Sequence, residues 1–322
     1  MKFLKVLLCT SLLIHLTTVA FAEETARPQG WKRSGNLGLN LSLSSSQDVV
    51  GQTNGTSQTY GLNVKSAFNH FTPQGEWRNE LNVTGATTKT PNVPRFVKSS
   101  DELKVATTYH YSLQSYPKIG PYAKAEAAAP MFVGEDVRSE PKTYRFTNLD
   151  GTNSSRTETS VRLTEGFKPL TTKESVGFFY KPVQEDRLKI ETRVGVAALQ
   201  VAAAGQYAVK GVNAAGEVEV NQLDDVSQAG FELALSVKGK ANETSTYELG
   251  AETMTPLINN KRSGDDRDSL RLTNVDIFAK LSSNVTSWAS FGYDYKLKIQ
   301  PQLVDRAQQI HMFVINVNHN LF

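Results

Sequence analysis

His110-Tyr111-Ser112 is the place where residue types and spacing invite covalent chemistry. On a strand, positions two apart share a face, so the imidazole could take a proton from the serine hydroxyl beside it. Three other histidines follow the first 22 residues, at His70, His311 and His319, and none is spaced i, i+4 as in a helical zinc site. The single cysteine is Cys9, so no mixed Cys/His metal cluster can be assembled. Asp265-Asp266-Arg267-Asp268 concentrates acids but lacks the spaced oxygen ladder and closing glutamate of a calcium loop, and reads as a solvated loop. No Gly-rich phosphate loop and no nucleophile elbow occurs. The sequence therefore predicts no enzyme, no metal and no cofactor.

The element that must position His110 argues the same way. Leu103, Val105, Tyr109, Tyr111 and Leu113 alternate with polar residues and form one apolar face. His110 and Ser112 then lie with Lys104 on the other face. If the apolar face meets lipid, the pair points into an enclosed interior. Outer-membrane lipid A deacylases carry a similar His-x-Ser pair facing lipid, so a lipid-cleaving nucleophile is expected on the side opposite to the one found here.

The same period recurs along the chain. Leu37, Leu39, Leu41 and Leu43 alternate with Gly38, Asn40, Ser42 and Ser44. Further strands are predicted around Tyr60–Val64, Trp77–Val83, Leu103–Leu113, Tyr122–Ala129, Thr159–Leu163, Val176–Tyr180, Leu188–Val196, Phe231–Val237, Tyr247–Ala251, Val275–Leu281, Ala289–Ile299 and a terminal strand, with no amphipathic helix. That makes thirteen, one too many for a barrel with both termini on one side. Either one strand is false or residues 205–222 hide another. Long loops are predicted near 46–58, 87–101, 130–156 and 255–272, and short turns near 70–76, 114–120, 168–173, 239–244 and 282–287. Long external loops alternating with short internal turns mark outer-membrane barrels. Aromatics two apart, Tyr109/Tyr111, Phe178/Tyr180 and Tyr293/Tyr295, fit a girdle at a membrane boundary.

Met1–Ala22 has the three parts of a cleaved signal: Lys2 and Lys5, the apolar run Val6–Val19, and Ala20-Phe21-Ala22 as small-x-small cleavage site. Residues 23–30 would be a short periplasmic lead and 31–322 the barrel. Cleavage would remove Cys9 and both lysines, taking the net charge from +3 to +1, which is no footprint for nucleic acid. A hydrophobic content of 39% and a mean hydropathy of −0.36 exclude a helical membrane protein but not a barrel, because only alternate strand residues face lipid.

The chain ends on Phe313-Val314-Ile315-Asn316-Val317-Asn318-His319-Asn320-Leu321-Phe322. Phe313, Ile315, Val317 and Leu321 are apolar against polar neighbours, and Phe322 is a terminal aromatic out of phase with them. A last strand of this kind closes the ring by pairing with the first, near Leu39 and Val317, which removes both sheet edges. It resembles the C-terminal strand that the barrel-assembly machinery of bacterial outer membranes reads. The order of Gly30-Trp31, the leucine strand, Gly75-Glu76-Trp77-Arg78-Asn79, Ser100-Asp101-Glu102-Leu103 and a terminal aromatic strand resembles the domain-of-unknown-function 3078 family of outer-membrane barrels. That resemblance implies a fold and a location but no mechanism.

The expectation is thus an all-β, transmembrane, antiparallel up-and-down β-barrel of about 12 strands, within 10–14. It would be an integral outer-membrane protein, structural or narrowly porin-like, in contact with outer-membrane lipid, the assembly machinery and no nucleic acid. The alternatives are a soluble periplasmic β-sandwich that binds a ligand or partner, and a barrel enzyme acting on lipid. Sequence leaves open the solute, the oligomeric state and whether the lumen is plugged.

Overall fold

The computed structural model describes residues 29–46, 55–261, 265–286 and 289–320. The signal and its cleavage residues Ala20 and Ala22 lie outside them, as do Gly264, Leu321 and Phe322. Among the described residues every regular element is a strand: β1 (Gly30–Ser46), β2 (Gly55–Phe71), β3 (Gly75–Thr90), β4 (Val93–Tyr111), β5 (Ile119–Ala129), β6 (Gly134–Thr147), β7 (Asn153–Thr164) and β8 (Leu170–Gln184). Then come β9 (Leu188–Ala202), β10 (Tyr207–Val212), β11 (Val218–Gln222), β12 (Val226–Lys240), β13 (Ser245–Asn259), β14 (Asn274–Asn284), β15 (Ala289–Gln300) and β16 (Val304–Asn320).

Twelve of them close a ring in the order β1-β16-β15-β14-β13-β12-β9-β8-β5-β4-β3-β2. Every neighbour pair is antiparallel, and β1 meets β16 along Asn36–Asn40. The alternation that marked each strand sorts its side chains. Leu39, Leu41, Val176, Val194, Phe231 and Leu233 stay between 49% and 60% exposed on the outer face. A soluble sandwich would bury such residues against a second sheet. An outward belt of this kind is stable when its solvent is hydrocarbon.

Aromatics bracket the belt. Trp31 stacks near Trp77 (6.0 Å between ring centres) at the end with the short turns, here the turn end. Tyr60 lies 5.5 Å from Phe96 towards the other, loop end. Leu41 pairs with Tyr60, so Trp31 and Leu41 mark the two edges of the belt on β1. Ten residues of tilted strand span about 25 Å, the height of an apolar belt.

The parity problem has a definite cause. β6, β7, β10 and β11 form a second, four-stranded sheet, ordered β10-β11-β6-β7, outside the ring. The Thr159–Leu163 segment belongs to β7 and is not a barrel strand. The turn expected at 168–173 is the end of the long β5–β8 connection, and the stretch 205–222, where another strand could be hidden, holds the β10–β11 hairpin, outside the ring. The sheet is stitched by parallel pairing of β11 on β6, Val218 opposite Tyr144, and buries Tyr144, Phe146, Val161, Val218 and Val220. Two long loops thus share one small core at the loop end. The loop expected at 87–101 is a hairpin instead: β3 and β4 run on to a two-residue turn at Pro91-Asn92. Strand therefore extends beyond the belt.

Candidate functional site

Inner-face residues are the partners of the outer belt by period, and here they are ionic. Near the turn end β3 turns Glu76 and Arg78 inward. Arg78 Nε lies 2.7 Å from Glu76 Oε1, and Arg78 Nη1 lies 2.9 Å from Glu191 Oε2 on β9. Lys181 of β8 reaches the other Glu76 oxygen at 2.5 Å. His110 is 1% exposed, with its ring edge-on to Phe179 at 4.7 Å. Its Nε2 stands 3.4 Å from Glu191 Oε1, too long for a well-formed hydrogen bond.

Arg193 joins this layer to the next, with Nε 3.9 Å from Glu191 and Nη2 3.4 Å from Glu252. Glu252, on β13, also receives Lys124 at 3.3 Å and Lys173. Lys173 continues to Glu232 at 2.6 Å, and the Tyr122 hydroxyl donates to the other Glu232 oxygen at 3.0 Å. Lys124 and Lys104 share Glu126 at 2.7 and 3.2 Å. Six cations, Arg78, Lys104, Lys124, Lys173, Lys181 and Arg193, thus interlock with five carboxylates, Glu76, Glu126, Glu191, Glu232 and Glu252.

The strands joined are not neighbours. β3 and β9 have three strands between them, and so have β5 and β13. Arg78–Glu191 and Lys124–Glu252 therefore cross the interior. Above this network, towards the loop end, the inner face becomes apolar. Leu199, Val201 and Met254 pack with Leu223, Val226, Leu303 and Val304. This explains the run Val194–Ala204, which is greasy on both faces: Val194 and Val196 point out, and Ala197, Leu199 and Val201 point in.

The opposite wall is lined differently. β1, β2 and β3 present Asn36, Gly38, Asn40, Gly61, Asn63, Thr84 and Ala86, and the small residues leave a cavity of about 450 Å³ open towards the turn end. Among the described residues one ion pair, Lys296 of β15 to Glu102 of β4 at 2.7 Å, joins the two halves.

No family model matches the chain. Membership of the domain-of-unknown-function 3078 family is accordingly not established, and no curated protein matches either. Among solved structures the chain is similar to an outer-membrane channel from Pseudomonas putida F1, with 9% identity over 94% of this chain and 99% of that one, at a TM-score of 0.41. It is also similar to the translocator domain of the autotransporter NalP from Neisseria meningitidis (10% identity, 98% and 93% covered, TM-score 0.35). A third likeness is to the CymD monoaromatic hydrocarbon channel (9%, 91% and 88%, 0.32). Overlap of this quality fixes neither activity nor solute.

The singled-out residues fall as follows. His110 and Ser112 are both buried on the inner side, at 1% and 3% exposure, away from any lipid. Asp265 is engaged by Arg267 at 2.7 Å, and Arg267 also donates to the Pro301 carbonyl at 3.0 Å. Asp268 accepts the backbone N–H of Arg271 at 2.8 Å. Ile315 is 59% exposed, and Val317 takes its place in β16 opposite Leu39. The ionic network escaped sequence reasoning. The period places Lys104 and His110 inward, but nothing in a single strand names a partner more than a hundred residues away.

Proposed function

We propose that this chain is an integral outer-membrane β-barrel whose lumen is occluded, so that it serves as a structural barrel or a narrow passage and not as a wide diffusion pore or an enzyme. The observation that carries this reading is the network of ion pairs crossing the interior between strands that are not neighbours. Water-filled porins hold their lumen open with many more strands, and a twelve-stranded ring has little width to spare once long side chains meet inside. Its turn end would face the periplasm and the second sheet the outside, the usual sense of short turns and long loops. Export would follow the Met1–Ala22 signal, and β16 with Leu321 and Phe322 would be the segment engaged by the assembly machinery.

An enzyme acting on lipid is disfavoured by the burial of His110 and Ser112 on the inner side. The test is electrical. The refolded mature chain, shown to be closed by its heat-dependent mobility in SDS gels, is placed in planar bilayers. Low conductance is expected, rising when Arg78→Ala and Glu252→Ala are combined. A wild-type conductance equal to that of a general porin overturns the occluded reading.

A further inference from the structure

We propose that the cavity at the turn end of the lumen binds a small polyvalent anion of the phosphate or polycarboxylate class. The inference rests on the reading of the ring as a membrane barrel, which makes this cavity an aqueous recess open on one side. Its volume, about 450 Å³, lies within the range of small-molecule sites. Five of its lining residues are lysines: Lys65, Lys189, Lys238, Lys240 and Lys280. Three are acids, Asp186, Glu248 and Asp294, so the lining carries two positive charges in excess.

The lysines here are spent differently from those of the crossing network. There every cation lies within ion-pair distance of a carboxylate. In the cavity Lys238 meets Glu248 at 2.9 Å, while Lys65, Lys189, Lys240 and Lys280 make no ion pair among the described residues. Lys189 and Lys238 are direct register partners on neighbouring strands. Like charges directly opposite one another are destabilising, and Glu248, the register partner of Lys238 on its other side, offsets one charge of the two. The neutral lining suits the same occupant. Asn36, Asn40 and Asn63 line the facing wall, the Asn63 amide donating one N–H to the Thr84 hydroxyl at 3.2 Å. Several ammonium groups and amides around a recess of this size match an anion with more than one charged oxygen centre.

The experiment titrates pyrophosphate, and separately citrate, into the refolded mature chain in detergent at low ionic strength, by calorimetry. Lys65→Gln combined with Lys280→Gln should weaken binding on the order of tenfold or more, the loss of charge-assisted hydrogen bonds. Lys65→Gln alone, at an exposed strand position, should weaken it in the same direction. Lys142→Gln, in the second sheet, should bind as wild type. Heat-dependent gel mobility of each sample reports the barrel independently. Closed barrels that bind neither anion, or that bind them equally well in the cavity variants, overturn the proposal and leave the barrel reading standing. Loss of heat-dependent mobility in the wild type overturns the barrel reading itself, and this proposal with it.

Discussion

Leu39 of β1 and Val317 of β16 stand opposite each other at the seam of the ring, in a register running from Asn36–Asn320 to Asn40–Asn316. Two sheet edges left open in hydrocarbon would expose backbone N–H and C=O groups at several kcal/mol each, so this pairing carries much of the barrel's stability. Cysteines at Leu39 and Val317 should therefore form a disulfide under mild oxidation, detectable as a mobility shift in denaturing gels. The pair Leu39 with Ser290, a strand farther round, should not. Linking at no register near Leu39 would exclude the seam described here.

Facing is testable on the same strand. Trp31 and Leu41 mark the belt edges, which puts Leu37 near the membrane midplane. Leu37→Arg should cost about 2–4 kcal/mol of unfolding free energy, and Leu41→Arg at the edge about 0–1 kcal/mol. Asn40→Arg points into the lumen and should be tolerated. Urea unfolding into lipid vesicles measures all three, and equal costs would contradict a lipid-facing belt.

Topology gives a third expectation. The β6–β7 hairpin tip at Asp150-Gly151, with Gly151 at a φ of 83°, should accept an epitope tag that antibodies reach on intact cells. A tag between Ala241 and Thr244, in the β12–β13 turn, should be reached only after permeabilisation. The reverse pattern would invert the orientation.

The crossing network makes a stability prediction too. Glu252 serves Lys124, Lys173 and Arg193 together. Glu252→Ala takes one carboxylate from three partly buried cations, leaving Lys124 on Glu126, Lys173 on Glu232 and Arg193 near Glu191, and should cost about 1–3 kcal/mol, as removing one charged hydrogen-bond partner does. Lys104→Ala, at the better-exposed end of the network, should cost much less. Similar costs for both, by the same unfolding assay, would mean that solvent screens the interior throughout.

What was legible in the sequence follows from what period two can carry. Leu37–Leu43, Leu103–Leu113 and Phe231–Val237 each announce a strand with a lipid side, and turn spacing announces the meander. Thr159-Ser160-Val161-Arg162-Leu163 has the same alternation, yet Val161 is buried in the core of the second sheet and not in lipid. Alternation reports a two-faced strand, not which apolar medium lies against the greasy face. The β10 and β11 strands have only 6 and 5 residues, and their pairing shifts register between Val209 and Gly211 of β10, so no period could accumulate. Partners across the lumen are set by the curvature of the ring, which no local window contains.

The second sheet should behave as a separable cap. Its core centres on Tyr144, fully buried, with the hydroxyl donating to Asp136 at 2.9 Å. Burial and the Asp136 carboxylate push this phenol up to about 12, so it remains a neutral donor through the physiological range. Tyr144→Ala removes the ring on which Val218 and Val220 pack and should cost the cap about 3–5 kcal/mol, as other buried aromatic truncations do. The ring pairs every barrel strand without help from β6, β7, β10 or β11. Limited proteolysis should therefore cut the variant within 130–169 and 203–225 while the wild type resists, and the cleaved barrel should keep its heat-dependent gel mobility. If Tyr144→Ala abolishes that mobility as well, the cap and barrel fold as one cooperative unit, and the long loops are part of what holds the ring closed.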